Sequence, residues 1–285
     1  MNHKKYAVFT MDVESFADTE CISSSGIHVD SDLTDGFEEY IKILDGHGIK
    51  STLFTVGDFA PQIAERLRPH LAKGHSLALH SFSHIPPMSV PLEQFREKIR
   101  NAKKRMQELF NVSIVGFRAP CFSIDADRLN VLQELGFLYD SSHLGFPAAR
   151  HTVKLNLDSF QMLRNGIFRN KNFYEFSLSK EKIFGHTFPV SGGGYVRLSN
   201  WGFIKALISH NIHRNDYYVF YLHPFELTKQ KIPFLKELKP YDKYYIKKGI
   251  HNYRRRIESI IQLLKNQGYE FVTFEQLVQI MDQEQ

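Results

Sequence analysis

Apolar positions along the chain alternate between two periods. Tyr6 to Met11 is a continuous apolar run of strand length, and Gly36 to His47 then places Phe37, Tyr40, Ile41 and Leu44 at the 0, 3, 4 and 7 offsets of one helix face. The alternation continues with a β-rich run at Ser51 to Val56, a helical stretch at Pro61 to Lys73 and a short strand at Ser76 to His80. After Pro91 the residues Phe95, Ile99, Ala102, Met106 and Leu109 make the apolar stripe of a helix. A strand at Ile114 to Phe117 follows, then a helix from Asp125 to Leu135 with an acidic first turn and Gly136 as its stop. The rhythm breaks from about Pro147 to Leu198, a stretch of polar turns with one strand at Phe173 to Leu178 and the run Ser191-Gly192-Gly193-Gly194-Tyr195. It resumes with helices at Trp201 to Ile212 and Tyr253 to Gln267, strands at Tyr217 to Leu222 and Tyr269 to Thr273, and a last helix from Glu275. Repeated strand-then-helix units predict an α/β fold with a parallel sheet, either open and doubly wound or closed into a barrel.

Composition narrows the class. The 285 residues include 24 Phe and 13 Tyr and are 42% hydrophobic, which excludes a disordered chain. Two cysteines a hundred residues apart, Cys21 and Cys121, cannot build a disulfide framework or a four-cysteine zinc site. The first apolar run is too short for a signal peptide or a membrane span, so the reading is a cytoplasmic protein with no transmembrane segment. The net charge of +5 is modest, and the clusters Lys103-Lys104-Arg105 and Arg254-Arg255-Arg256 read as solvated helix faces. No nucleic-acid recognition motif accompanies them, so nucleic acid is not expected as a partner. No composition shift or linker divides the chain, and residues 1–285 read as one catalytic domain.

Polar clusters fall where predicted strands end: Asp12-Val13-Glu14 after the first, His80-Ser81-Phe82-Ser83-His84 after the third, Arg118-Ala119-Pro120 after the fourth, His223-Pro224-Phe225-Glu226 after Leu222. In parallel α/β folds that edge is where sites assemble. The His80/His84 spacing suits two imidazoles on one helical turn, but 14 histidines among 285 residues give about 0.7 such pairs by chance, so the pair alone decides nothing. Joined to the carboxylates of Asp12 and Glu14, which share one face of a strand, it forms a set of two histidines and one carboxylate with a second carboxylate left for base chemistry. That is the donor pattern of a catalytic divalent-metal site. Ser191 to Tyr195 lacks the Lys-Ser/Thr of a phosphate loop and reads as a lid or substrate-binding turn.

In the order of these motifs the sequence resembles the polysaccharide deacetylases of the NodB type, metal-dependent hydrolases of N-acetyl groups on sugars. Met11-Asp12-Val13-Glu14, Gly116-Phe117-Arg118-Ala119-Pro120, Tyr139-Asp140-Ser141-Ser142, Ser191-Gly192-Gly193-Gly194-Tyr195 and Tyr221-Leu222-His223-Pro224 are similar to a branch associated with bacterial exopolysaccharide and O-antigen systems. The resemblance spans about residues 5 to 280. It implies a distorted (β/α) barrel, with Asp12 as catalytic base, Glu14, His80 and His84 as ligands of a divalent metal, most readily Zn2+, Arg118 holding Asp12, and His223 as general acid. The family's later Asp-Trp motif is missing, since the only Trp is Trp201, and Asp140 is expected to take over the orienting of His223. The family's Tyr after Arg-x-Pro is replaced by Cys121, which is tolerable if a backbone N–H there does the work. The implied substrate is an N-acetylated sugar or glycan, with room for peripheral contact with a lipid-linked form. Two other functions fit the same residues or fold: hydrolysis of another C–N bond, as in a ureide or formamide, and non-catalytic glycan binding.

Overall fold

The computed structural model describes residues 4–23, 25–29, 32–146, 155–232 and 236–284, apart from the side chains of Glu20 and Cys21. The expected break in rhythm therefore begins, at Pro147, outside the described residues. Strand β1 (Lys5–Val13) is central, flanked on one side by β11 (Tyr217–Leu222) and on the other by β2 (Ser51–Thr55) along its upper half and β12 (Tyr269–Phe271) along its lower half. From β2 the sheet runs in parallel through β3 (Ser76–Leu79), β4 (Gly116–Phe117) and β5 (Tyr139–Asp140) to β8 (Phe173–Phe176). An antiparallel hairpin, β6 (Gln161–Arg164) and β7 (Ile167–Asn170), extends it beyond β8. The mixed α/β fold with a parallel sheet is thus as expected. Helices α2 (Asp35–His47), α3 (Ala60–Leu71), α4 (Leu92–Phe110), α5 (Ala126–Glu134), α7 (Trp201–Arg214) and α9 (Ile250–Asn266) supply the crossovers, and α10 (Phe274–Gln283) closes the chain. No helix among the described residues is long and apolar enough to cross a membrane.

The pleat of β1 sorts its side chains. Ala7, Phe9, Met11 and Val13 pack into the core shared with the helices, whereas Tyr6 and Val8 join a second cluster with Tyr139, Tyr174, Phe176, Tyr217 and α10. Thr10 and Asp12 continue that second face upward, so the sheet curls around an aromatic floor with polar residues above it. The curl is a barrel with a broken seam. No ladder joins β8 to β11; instead Val219 N donates to Ser179 Oγ (2.9 Å) and Tyr221 N to Ser191 O (2.7 Å). The stretch that breaks the rhythm bridges that seam and also builds a separate hairpin, β9 (Lys180–Ile183) and β10 (His186–Pro189).

The glycine run is a packing device and not a lid. Gly192 adopts φ +113° beside β11, where a Cβ would lie 2.1 Å from Tyr221 O, and Cβ atoms on Gly193 and Gly194 would meet the rings of Tyr221 and Tyr245 at 2.8 and 2.7 Å. Ser191 to Gly194 are buried, and the chain turns at once into α6 (Gly193–Leu198).

Candidate active site

Backbone hydrogen bonds carry the sheet one residue past its strands and fix the site residues there. Val56 N donates to Val13 O, His80 N to Thr55 O and Arg118 N to Leu79 O, placing Asp12, Glu14, His80 and Arg118 around one rim. The His80/His84 pair does not sit on a helical turn. Ser81 takes φ +64° at the end of β3, and the irregular loop after it brings His84 back beside His80, with ring centroids 5.3 Å apart. Positive φ recurs at Cys121 and Phe122, so three non-glycine residues near the site hold a conformation that costs about 1–3 kcal/mol each.

Glu14, His80 and His84 offer one ligand atom each, all within 4.8 Å of one another. His80 Nδ1 lies 2.8 Å from the Arg118 carbonyl oxygen, which can only accept; Nδ1 therefore carries the proton and Nε2 keeps its lone pair. Glu14 Oε2 is buried and makes no hydrogen bond of acceptable geometry, although His84 Nε2 is 2.9 Å and His80 Nε2 3.7 Å away. Burial opposes ionisation of Glu14, but His84 and His223 outweigh it and hold the carboxyl well below its usual range. Two imidazole nitrogens facing an under-bonded buried carboxylate are a donor set that fits a divalent cation.

Beside this set Asp12 is buried, and its Oδ1 accepts from Arg118 Nη1 at 2.7 Å. Arg118 is fully buried and fully engaged: Nη1 also reaches Thr10 Oγ1, Nε donates to Ser141 O, and Nη2 to Ser141 Oγ (3.0 Å). Its guanidinium carbon lies 4.1 Å from the centroid of Phe54. Asp12 Oδ2 is 4.0 Å from His223 Nε2. All of Asp12, Glu14, His80, His84, Arg118 and His223 therefore converge on one edge.

Asp140 does not join them. It is held by Ser142 and lies against Glu175, on the face of β5 opposite Tyr139, and the orienting role expected of it falls to another residue. Glu226 Oε2 accepts from His223 N (3.1 Å) and faces His223 Nδ1 (3.2 Å), while its Oε1 accepts from Arg197 Nε (2.7 Å). Glu226 and Arg197 are both fully buried. Burial pushes the Glu226 carboxyl up, but Arg197 and His223 more than offset this and lower it. Burial likewise disfavours a charged His223, yet Glu14, Glu226 and Asp12 together raise its pKa to about 9. Glu226 was legible only as a spacing: a carboxylate three residues after His223, in capping-box register across a Pro. Arg197, on α6, had no sequence signal.

The fold is shared with solved polysaccharide and peptidoglycan deacetylases. Residues 18–139 match the family model Polysaccharide deacetylase, and residues 143–279 match a Domain of unknown function, DUF3473. The first match ends in β5 and the second, which begins just after it, contains β8; the two strands pair in one sheet, so both segments build the same barrel. Peptidoglycan deacetylase-like protein FGM2 of Gibberella zeae is 31% identical over 115 residues, 40% of this chain; the match spans 34% of that relative. Among solved structures, a Mycobacterium smegmatis protein described as a candidate polysaccharide deacetylase superposes over 100% of this chain and 93% of its own, with TM-score 0.60 and 16% identity. The Bc1960 peptidoglycan N-acetylglucosamine deacetylase covers 96% and 87%, with TM-score 0.54 and 15% identity. BA3943 of Bacillus anthracis, a pseudoenzyme, covers 98% and 66%, with TM-score 0.55 and 10% identity. These likenesses establish the fold and, with the family match, support the polysaccharide deacetylase family; the pseudoenzyme shows that the fold alone does not confer activity.

Proposed function

We propose that the protein is a metal-dependent hydrolase that removes the N-acetyl group from an amino sugar of a bacterial glycan or glycan precursor. The observation that carries this reading is the union, on one strand edge, of the Glu14–His80–His84 donor set with Asp12–Arg118 on one side and His223–Glu226 on the other. A divalent metal, zinc best by donor type, would polarise the amide carbonyl and acidify a water. Asp12 would serve as the base that accepts the water's proton; the Arg118 hydrogen bond to Oδ1 leaves Oδ2 directed toward His223 and the reacting atoms. His223, protonated on Nε2 and steadied at Nδ1 by Glu226, delivers the proton that the departing amine needs. Arg197 in turn holds the Glu226 carboxylate.

An amide of an amino sugar suits this set, because a poor electrophile with a basic leaving group needs all three functions at once. The likeness to a peptidoglycan N-acetylglucosamine deacetylase and the exopolysaccharide-associated motifs favour a glycan over a ureide ring. Non-catalytic glycan binding is disfavoured because every chemical position holds a competent residue. Incubating the metal-loaded protein with N-acetylated monosaccharides, nucleotide sugars and oligosaccharides, and measuring acetate, tests the proposal. Acetate from at least one class is expected, and formate or ammonia from a formamide or ureide instead would favour the other C–N hydrolysis.

A further inference from the structure

Asp140 and Glu175 are partners across β5 and β8, fully buried and directed away from the site residues. The Ser142 amide donates to both, 3.0 Å to Asp140 Oδ2 and 3.1 Å to Glu175 Oε1, so oxygens of two carboxyls converge on one N–H. Glu175 Oε1 also accepts from His143 N (2.9 Å), and Asp140 Oδ1 from Ser142 Oγ (2.9 Å). Glu175 Oε2 is buried with no hydrogen-bond partner. No cationic side chain among the described residues bonds to either carboxyl; two ionised carboxylates in such contact repel strongly, and an oxygen left over in such a pair is where a proton belongs.

We propose that Asp140 and Glu175 share one proton, and that this acid–carboxylate clamp is a positioning device for Arg118 and, through it, Asp12. The clamp fixes Ser142, whose Oγ accepts from Ala119 N (2.8 Å), next to Arg118 in the chain. The preceding residue, Ser141, receives two of the Arg118 donors and itself donates to Phe176 O (2.9 Å), one residue after Glu175. Displacing the 141–142 segment would thus release the guanidinium that aims Asp12. Burial pushes both carboxyls up, Asp140 to about 6 and Glu175 well above the carboxylate range. Among the described residues, the charged or titratable groups that act on the pair or adjoin it are Arg118, which lowers Asp140; Tyr139 and Tyr217, both raised by burial; and His143, which burial and Lys180 lower to about 4.

Only the consequence at Asp12 rests on the deacetylase reading; the shared proton does not. The test compares wild type, Glu175→Gln, which keeps a donor but cannot ionise, and Glu175→Ala, all as metal-loaded full chains. Infrared difference spectra at neutral pH are expected to show a neutral carboxylic-acid band in wild type that Glu175→Gln lacks. A carboxyl raised in the folded state binds its proton more tightly there. Wild-type stability should therefore fall as pH rises from about 4.3, the unfolded Glu value, through the folded pKa, and Glu175→Gln should lose that fall. On a substrate, Glu175→Gln keeps kcat near wild type, whereas Glu175→Ala loses on the order of 10-fold to 10²-fold in kcat with metal content unchanged. A wild-type spectrum without the acid band overturns the shared proton. Unchanged kcat in Glu175→Ala, or equal losses in Glu175→Ala and Glu175→Gln, overturns the positioning role. The spectrum needs no substrate, so it stands even if the deacetylase reading fails.

Discussion

Asp12 on β1 and Glu14 just past its end are two residues apart, yet their surroundings differ and suit them to different work. Asp12 is bonded to a guanidinium, whereas Glu14 faces two imidazoles with a lone oxygen unsatisfied. Asp12→Asn is accordingly expected to lower turnover by ~10² or more, as loss of a positioned base does, while metal content by elemental analysis stays at wild-type level. His84→Ala should show the reverse order of events, losing metal first. His223 gives a pH signature. In the general-acid role proposed for it, His223 must be protonated, so activity falls as pH rises through its pKa, raised to about 9 by Glu14, Glu226 and Asp12 against burial. A cation on Glu14 withdraws part of that effect, so the alkaline limb of kcat/KM in the loaded enzyme is expected at or below about 9. Glu226→Gln removes a further negative neighbour and should move the limb to lower pH; a limb that stays in place would show that Glu226 does not act on His223.

At the scale of elements, the strand ends present chemistry and the irregular segments make the presentation possible. The apolar run Tyr6 to Met11 discloses a strand because both of its faces are buried, and the stripe Phe37-Tyr40-Ile41-Leu44 discloses a helix because burial on one face leaves a periodic trace. The stripe of α4 is displaced only at its end, where Phe110 and not Leu109 is the buried residue. Strand β5 is two residues long and the β6–β7 and β9–β10 hairpins are four-residue strands with exposed positions, too short to leave such a trace. The glycine run was legible as unusual but not as packing, since its reason is the approach of a distant strand. Gly192, at φ +113° and ψ −151°, occupies a region essentially reserved for glycine. Gly192→Ala should therefore cost at least ~2–3 kcal/mol in denaturant unfolding, from backbone strain with the Tyr221 clash added. Gly46→Ala, in helix α2 with nothing near its Cβ position, serves as the control and should gain ~0.5–1 kcal/mol.

Across the whole molecule, two sequence segments with separate family matches complete one barrel and one site. The first brings His80, His84 and Arg118, the second brings His223, Glu226 and Arg197, and Asp12 and Glu14 lie ahead of both matches, at the end of β1. Most of the residues that converge on this edge were readable because metal and acid–base chemistry restrict residue types, and because the motifs shared with polysaccharide deacetylases are short and local. Asp140 was assigned to His223 by analogy with a missing motif, and the register of β5 turns it to the other face. Glu226 faces His223 through the local turn that follows β11, a contact visible in the sequence only as the three-residue spacing of a capping box.

The central claim is that the Glu14–His80–His84 set makes this barrel a metal-dependent sugar deacetylase. It is tested most directly by acetate release from the panel of N-acetylated sugars, measured on the purified protein before chelation, after chelation and after restoration of one equivalent of zinc. The account predicts acetate from at least one sugar class, its loss on chelation, its return with the metal, and no return in His84→Ala. Acetate release that persists in the metal-free protein, with metal content verified as nil, would contradict it.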